Sequence, residues 1–439
     1  MLHIKGYELL LENMVLIYSR KFSSRHRYVF DWIFDQWGIK YSYTSNKTEF
    51  ELSSLPGIWY SNESPPDKET IIIHESGLLS ENGIVFHQPH VTFQNNIPYL
   101  YFGDEIKQGF DFFSAIFFML SRYEEYLPFE SDHHSRFPAA QSLAFRYSFL
   151  ELPVVDIWVR EFYRQLASKY SDLVPLKGKF HAIMTYDIDV AYKFRGRSFI
   201  HQILAGSRDL IQLKWGTLIS RFTVLLRVNK DPWDVFKYLE DKIRDSLTPA
   251  IFFFPCGKRT SFDKNQNPKN PLIERLIIKS KSFVKIGLHP SYQSVDRLDL
   301  LTDEKRILEQ IVMDNVVDSR QHFLRFKMPE TFLALSKAGI RFEYSMLFPD
   351  APGFRAGTCR PFYFFDLYAE QITSLRLYPG CWMDSTFINY SQSGSHTALV
   401  KAKELIQVIR KVGGYFIPIF HNNTLEYENW RGIHEEIWN

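Results

Sequence analysis

HAIMTYDIDV, residues His181–Val190, couples a short apolar run to two carboxylates. Phe180, Ala182, Ile183 and Met184 have the pattern of a buried strand. A strand alternates faces at each residue, so Asp187 and Asp189 fall on one side and Ile188 on the other. Two carboxylates about 6–7 Å apart on one face repel unless a cation or a shared proton lies between them. The chemistry that fits is a divalent metal or an acid/base pair. The plain alternative is a solvated strand end that caps the next helix.

The surroundings of this stretch favour chemistry. From Gly178 onward, strands alternate with helices. Strands are expected at Phe180–Asp187, Pro249–Pro255, Phe283–Leu288, Asp318–Phe326, Arg341–Leu347, Leu375–Tyr378 and Tyr415–Phe420. Helices are expected at Pro232–Ser246, Pro271–Lys279, Thr302–Asn315, Pro329–Ala338 and Ser395–Val412. This alternation predicts an α/β fold, a parallel (β/α) barrel of about seven strands, complete or irregular, over residues 178–430. Reactive groups of such barrels gather at the C-terminal strand ends. Those ends carry Asp187 and Asp189, then His289 with Ser291 and Tyr292, then Arg320 and His322. Trp382 and Asp384 follow, and His421 closes the series. A lone histidine is most often structural. Several imidazoles at the ends of one set of parallel strands, beside a DxD, point to a shared metal or acid/base site.

The first 171 residues read as a separate mixed α+β domain. Ser24–Trp37 has helical periodicity. Gly57–Tyr60, Thr70–His74, Ile84–Phe86 and Tyr99–Phe102 are strand-like, with turn residues at Asn62–Asp67 and Asn95–Pro98. Phe110–Leu127 is expected to be a core helix and Pro153–Tyr170 another, followed by a linker, Ser171–Lys179. His133 and His134 are adjacent, so they do not converge on one ion, and Ser131–Pro138 reads as a polar loop. Nothing in this third carries recognisable chemistry.

Composition limits the function classes. Of 439 residues, 52 are Lys or Arg and 50 are Asp or Glu, a balance that argues against nucleic acid as the main partner. Three scattered cysteines, Cys256, Cys359 and Cys381, form neither a disulfide framework nor a CxxC motif and suit a reducing cytoplasm. The N-terminal stretch MLHIKGYELLLENMVLIYSRKF reads as neither a signal peptide nor a spanning helix. A cytoplasmic location without a membrane span is therefore expected. The oligomeric state is left open.

The strand-end residues resemble the polysaccharide deacetylases, carbohydrate esterase family 4, over about residues 178–425. That family opens on Thr-Phe-Asp-Asp, where this chain has Thr185-Tyr186-Asp187-Ile188-Asp189. The resemblance implies Asp187 as general base and Asp189 as metal ligand. The family's His-Ser/Thr-x-x-His motif stands here as His289-Pro290-Ser291-Tyr292-Gln293, with the first histidine kept and the second replaced. Its Arg-Pro-Pro strand is matched by Arg320-Gln321-His322, the arginine orienting the base. Trp382 and Asp384 stand where the family has a Trp and an Asp beside the product site. His421 matches the closing histidine, the general acid. The N-terminal third, with SRYEEYL and HHSRF, resembles an uncharacterised domain that precedes such barrels in bacterial envelope-polysaccharide proteins.

What the resemblance implies is a metal-dependent hydrolase that removes N-acetyl or O-acetyl groups from a bacterial polysaccharide or sugar precursor. Asp187, Arg320, Asp384 and His421 would be catalytic. Asp189 and His289 would bind a divalent metal, zinc by preference. His322 supplies the missing ligand if it shares a strand face with Arg320, Gln293 being a weaker donor. A metal-free site is the third option. Tyr186, Ser291, Tyr292, Arg355 and Trp382 would contact the carbohydrate, and a backbone N–H near Tyr292 would stabilise the oxyanion. Arg320, Arg325, Arg355 and Arg360 are candidates for a mouth that favours an acidic sugar. Two other readings compete. One is a DxD glycosyltransferase, which leaves His289, Arg320 and His421 unexplained. The other is a non-catalytic sugar-binding or assembly module with a degenerate metal site.

Overall fold

Three apolar runs too short to be helices, Met14–Tyr18 (β1), Gly57–Tyr60 (β3) and Ile71–Ile73 (β4), pair in parallel with a more polar edge strand, Lys40–Thr44 (β2), in the order β2-β1-β3-β4. This is a computed structural model that describes residues 13–102, 109–174 and 178–438. The N-terminal residues before Asn13 and part of the expected linker, 175–177, lie outside the described residues. Helix Ser24–Trp37 forms where the periodicity placed it, capped by Ser23 and closed by Gly38 in the left-handed region. Strands His90–Gln94 (β5) and Ile97–Tyr101 (β6) form a hairpin whose turn residues, Asn95 and Asn96, both have positive φ.

Two expectations for this region fail. Ile84–Phe86 forms no strand. The helix foreseen over Phe110–Leu127 spans Phe112–Leu120, because Arg122 takes a left-handed conformation and the chain continues as a 3₁₀ turn.

The larger sheet holds nine strands. Met184–Asp187 (β8) extends the short strand Phe180–Ala182 (β7). Ala250–Phe254 (β9), Lys285–Leu288 (β10), Asp318–Ser319 (β11) and Phe342–Glu343 (β12) follow, each after helical chain. Phe362–Asp366 (β13), Gln371–Leu377 (β14) and Trp382–Met383 (β15) come next. Gly414–Phe416 (β16) pairs with β7, and Pro418–His421 (β17) inserts between β8 and β15. The order is β13-β14-β12-β11-β10-β9-β8-β17-β15, with every pair parallel except β13–β14. Among the described residues no ladder joins β15 back to the β13–β14 end, so the sheet is a large mixed sheet with a parallel body.

Parallel neighbours in register bring their C-terminal ends together, and His421 stands directly opposite Asp187. The strand foreseen over Asp318–Phe326 stops after Ser319, where a 3₁₀ turn over His322–Leu324 takes over. Phe323 and Leu324 have positive φ there, which no ladder residue tolerates. Two helices that the periodicity did not single out, Phe199–Ile211 and Trp215–Leu225, lie between β8 and β9. No described helix is long and apolar enough to cross a membrane.

Candidate active site

Asp187 ends β8 and is buried, while Asp189, beyond the strand, is 33% exposed. His289, the first residue after β10, reaches both carboxylates, its Nε2 lying 3.1 Å from Asp189 Oδ1 and 3.9 Å from Asp187 Oδ2. Its Nδ1 bonds the Arg320 carbonyl at 2.6 Å. A carbonyl only accepts, so Nδ1 carries a proton and Nε2 is directed at Asp189. His322 is held in the same sense, with Nδ1 2.8 Å from Asp263 and Nε2 3.7 Å from Asp189. Asp189, His289 and His322 together offer ligand atoms within 4.8 Å of one another and could hold a metal ion. Among the described residues no other group of His, Cys, Asp and Glu does this.

Arg320 is fully buried beneath Asp187. It donates to Asp187 at 2.9 Å, to Thr185 Oγ1 at 2.8 Å and to the Tyr344 carbonyl at 3.1 Å. The guanidinium is thereby fixed, and it neutralises a carboxylate that has almost no access to water. On the other flank, His421 Nδ1 lies 2.6 Å from Asp384 Oδ1, and its backbone N–H donates to Asp384 Oδ2. Its Nε2 faces Asp189 at 3.8 Å.

The charges follow this arrangement. Burial pushes the Asp189 carboxyl up, but His322, His289 and His421 outweigh it and hold it well below the usual carboxylate range. Burial opposes charge on His421 too, yet Asp384 foremost, with Asp189 and Asp187, raises its pKa to about 10. Asp189 and Asp263 likewise bring His322 up to about 9 against its burial. Acidic and basic groups thus lock each other in charged form around one point.

A cavity of about 350 Å³ opens over these groups. Trp233, Phe323, Tyr390 and Tyr427 give it aromatic walls, and Ser385, Asn389 and Asn423 give it polar ones. None of the residues expected to contact substrate is in this lining. Tyr186 points to the opposite face of β8 and bonds His434 at 2.6 Å, because strand alternation sends it away from Asp187. Trp382 is fully buried, with its indole N–H on the Ala398 carbonyl. Arg355 lies in a buried ion pair with Glu125 at 2.6 Å. Arg325 bonds Asp296 and Arg360 bonds Asp156, so neither is at the mouth. Ser291 bonds Glu304 through both its N–H and its hydroxyl. The Tyr292 N–H is taken by Asp263 at 2.9 Å, which removes it as an oxyanion donor, and Gln293 is exposed on the turn.

The sequence reading missed Asp263. It lies in a loop after β9 with no periodicity to mark it, and its only signal is a polar residue downstream of a strand end. It also missed the part played by Ser131–Pro138. In that segment His134 bonds the Tyr292 hydroxyl at 3.1 Å, and Arg136 bonds the Phe323 carbonyl at 2.5 Å and the Tyr390 hydroxyl at 3.2 Å. The N-terminal region therefore props two walls of the cavity.

Residues 15–171 match a family of unknown function, DUF7033. No curated protein matches the chain. Six solved chains are similar to it. One is described as a candidate polysaccharide deacetylase from Mycobacterium smegmatis, 13% identical, with a TM-score of 0.40 over 60% of this chain and 84% of that one.

Proposed function

We propose that the chain is a metal-dependent hydrolase that removes an acetyl group from an amino sugar in a bacterial polysaccharide or its precursor. The observation that carries this reading is the convergence of Asp187, Asp189, His289, His322 and His421 on one cavity, with Arg320 behind the first and Asp384 behind the last. On this reading residues 178–430 are an irregular (β/α) barrel left open between its edge strands β13 and β15, and residues 1–171 are a distinct N-terminal unit packed against it.

The donor set fits a metal. Asp189 Oδ1 is buried without a hydrogen-bond partner and faces the His289 Nε2, while the His322 Nε2 faces Oδ2 of the same carboxylate. One carboxylate and two imidazoles suit zinc, and the Asp263 and Arg320 carbonyl contacts fix both rings as outer supports. A bound ion would polarise the acyl carbonyl and make a water acidic enough to ionise near neutral pH.

The chain's own residues do the rest. Asp187, held by Arg320, accepts a proton from the attacking water. Water oxygen bonds to the acyl carbon, and the carbon–nitrogen bond then breaks. His421, protonated at neutral pH and aimed by Asp384, donates to the leaving nitrogen. Acetate and a free amine result. The aromatic walls offer flat apolar faces for a sugar ring.

The test is metal content of the purified protein together with acetate release from a panel of N-acetylated glycans and nucleotide sugars. The reading expects a bound divalent ion and release that a chelator abolishes. A protein that takes up no divalent ion overturns it.

A further inference from the structure

Between Asp189 and β9 the chain makes a detour that the candidate site does not use. Helices Phe199–Ile211 and Trp215–Leu225 pack on each other as a hairpin. The first buries no side chain, and the second buries Arg221 and Val224. Phe199, Ile211 and Leu226 are 78%, 81% and 73% exposed, and Ile200, Trp215 and Phe222 also face solvent. So many exposed apolar side chains on one hairpin mark an interaction site.

The charge around it narrows the occupant. Residues 197–230 carry Arg197, Arg208, Lys214, Arg221, Arg227 and Lys230 against a single acid, Asp209, which Arg221 takes at 2.7 Å. At the foot of the hairpin is a cavity of about 610 Å³, lined by Arg197, Lys258, Arg259, Lys264 and Lys269 and by no carboxylate. Two copies of this face would bring like charges together. A purely apolar protein groove would leave the cations without partners. An anionic bilayer satisfies both features, because interfacial helices bury Phe, Trp and Leu at the headgroup–acyl boundary while Lys and Arg meet the phosphates.

We propose that the hairpin over residues 199–226 docks the protein on the surface of an anionic phospholipid bilayer, with the basic cavity at its foot against lipid phosphates. Helices of 13 and 11 residues are too short to span, so the hairpin lies in the interface. Its root is tied to the wall of the candidate active site. Lys193 bonds Glu426 at 2.8 Å, Glu426 accepts from the indole of Trp233, and Trp233 lines that cavity.

The test is co-sedimentation of the full chain with vesicles of phosphatidylcholine, alone or mixed with phosphatidylglycerol. Partition into the mixed vesicles should be at least about tenfold greater at low salt and should fall as salt rises. The double variant Ile211→Asp with Phe222→Asp should lose at least about tenfold, since each side chain contributes that much or more when buried. Lys214→Glu with Arg227→Glu should lose binding to the mixed vesicles only. All these positions are exposed, so thermal melting should not move. If the aspartate variant nevertheless misfolds, the charge variant and the salt series decide. Equal partition into both vesicle types overturns the proposal, as does an apolar variant that binds like the parent. A parent that ignores vesicles but forms a dimer, broken by the aspartate variant, gives the surface to a second copy instead.

Discussion

Asp187 and Asp189 are two residues apart, yet their surroundings assign them different chemistry. Asp187 is buried and paired with a fixed guanidinium, whereas Asp189 is partly open and ringed by imidazoles. Asp187→Asn should lower turnover by about 10²–10⁴-fold, the range of a lost general base, and leave metal content unchanged. Loss of the metal would exchange the two roles. Zinc titration tests the third ligand. His322→Ala should lose affinity and Gln293→Ala should keep it, because Gln293 stands in solvent and His322 faces Asp189. Asp263→Asn should cost about 10–100-fold in affinity through the orientation of His322. The carboxylates, His289 and His421 were legible because each ends an apolar run. The placement of His322 near them was also foreseen, but through a strand that ends at Ser319, before it. A turn with positive φ at Phe323 brings the ring in, and residue pattern does not encode that turn. The substrate contacts were illegible for a related reason. Tyr186, Arg355 and Trp382 were judged by residue type and motif position, whereas burial and partner decide what each side chain does.

At the scale of elements, two buried glutamates hold the loops that present the site. Glu304, on helix Leu298–Val312, binds the N–H and hydroxyl of Ser291, two residues after His289. Glu343, in β12, binds the N–H and hydroxyl of Ser345, whose oxygen receives the Gln321 N–H next to His322. Burial raises both carboxyls to about 7 from an ordinary value of 4.5. Each folded-state pKa is therefore above its unfolded value, and the folded protein binds more protons between those limits. Stability should then be greatest below about 4.5 as far as these two groups are concerned, and should fall as pH rises toward about 7. Glu304→Gln with Glu343→Gln should flatten the melting temperature over that window, because the groups that lose a proton there are gone. Thermal melts of parent and variant across the window check it, and parallel curves would refute it. Strand–helix alternation was readable here because parallel strands are long apolar runs. The two-residue strand β15 was not, and β11 and β12 were expected to run several residues too far, since so short an element leaves no period to read.

At the scale of the molecule, the N-terminal region is fastened to the large sheet by buried charge. One apolar cluster runs from Val15 through Phe117 and Val155 to Phe365 and Ile409, so the two regions share a core. Across it Arg355 binds Glu125 through two bonds, at 2.8 and 2.6 Å, and Glu125 also receives Arg122. Asp156 takes the Cys359 N–H, the Thr358 hydroxyl and Arg360. Arg25 reaches Glu370. Breaking one side of a buried pair leaves the other charge without compensation, and that costs more than the pair itself contributed. Glu125→Ala should therefore destabilise the chain by about 3–5 kcal/mol, since it strands Arg355, whereas Arg122 keeps Glu124. Glu125→Ala with Arg355→Met should recover part of that loss, because the stranded charge is gone. Arg136→Ala is a different case. Besides Asp132 in its own loop, its partners are the Phe323 carbonyl and the Tyr390 hydroxyl, both on the cavity wall. The variant should change KM for the carbohydrate more than it changes the melting temperature. Denaturant unfolding of all three variants, beside KM for Arg136→Ala, separates the two roles. If Glu125→Ala melts one region and leaves the other folded, the regions are independent and the buried pairs do not couple them.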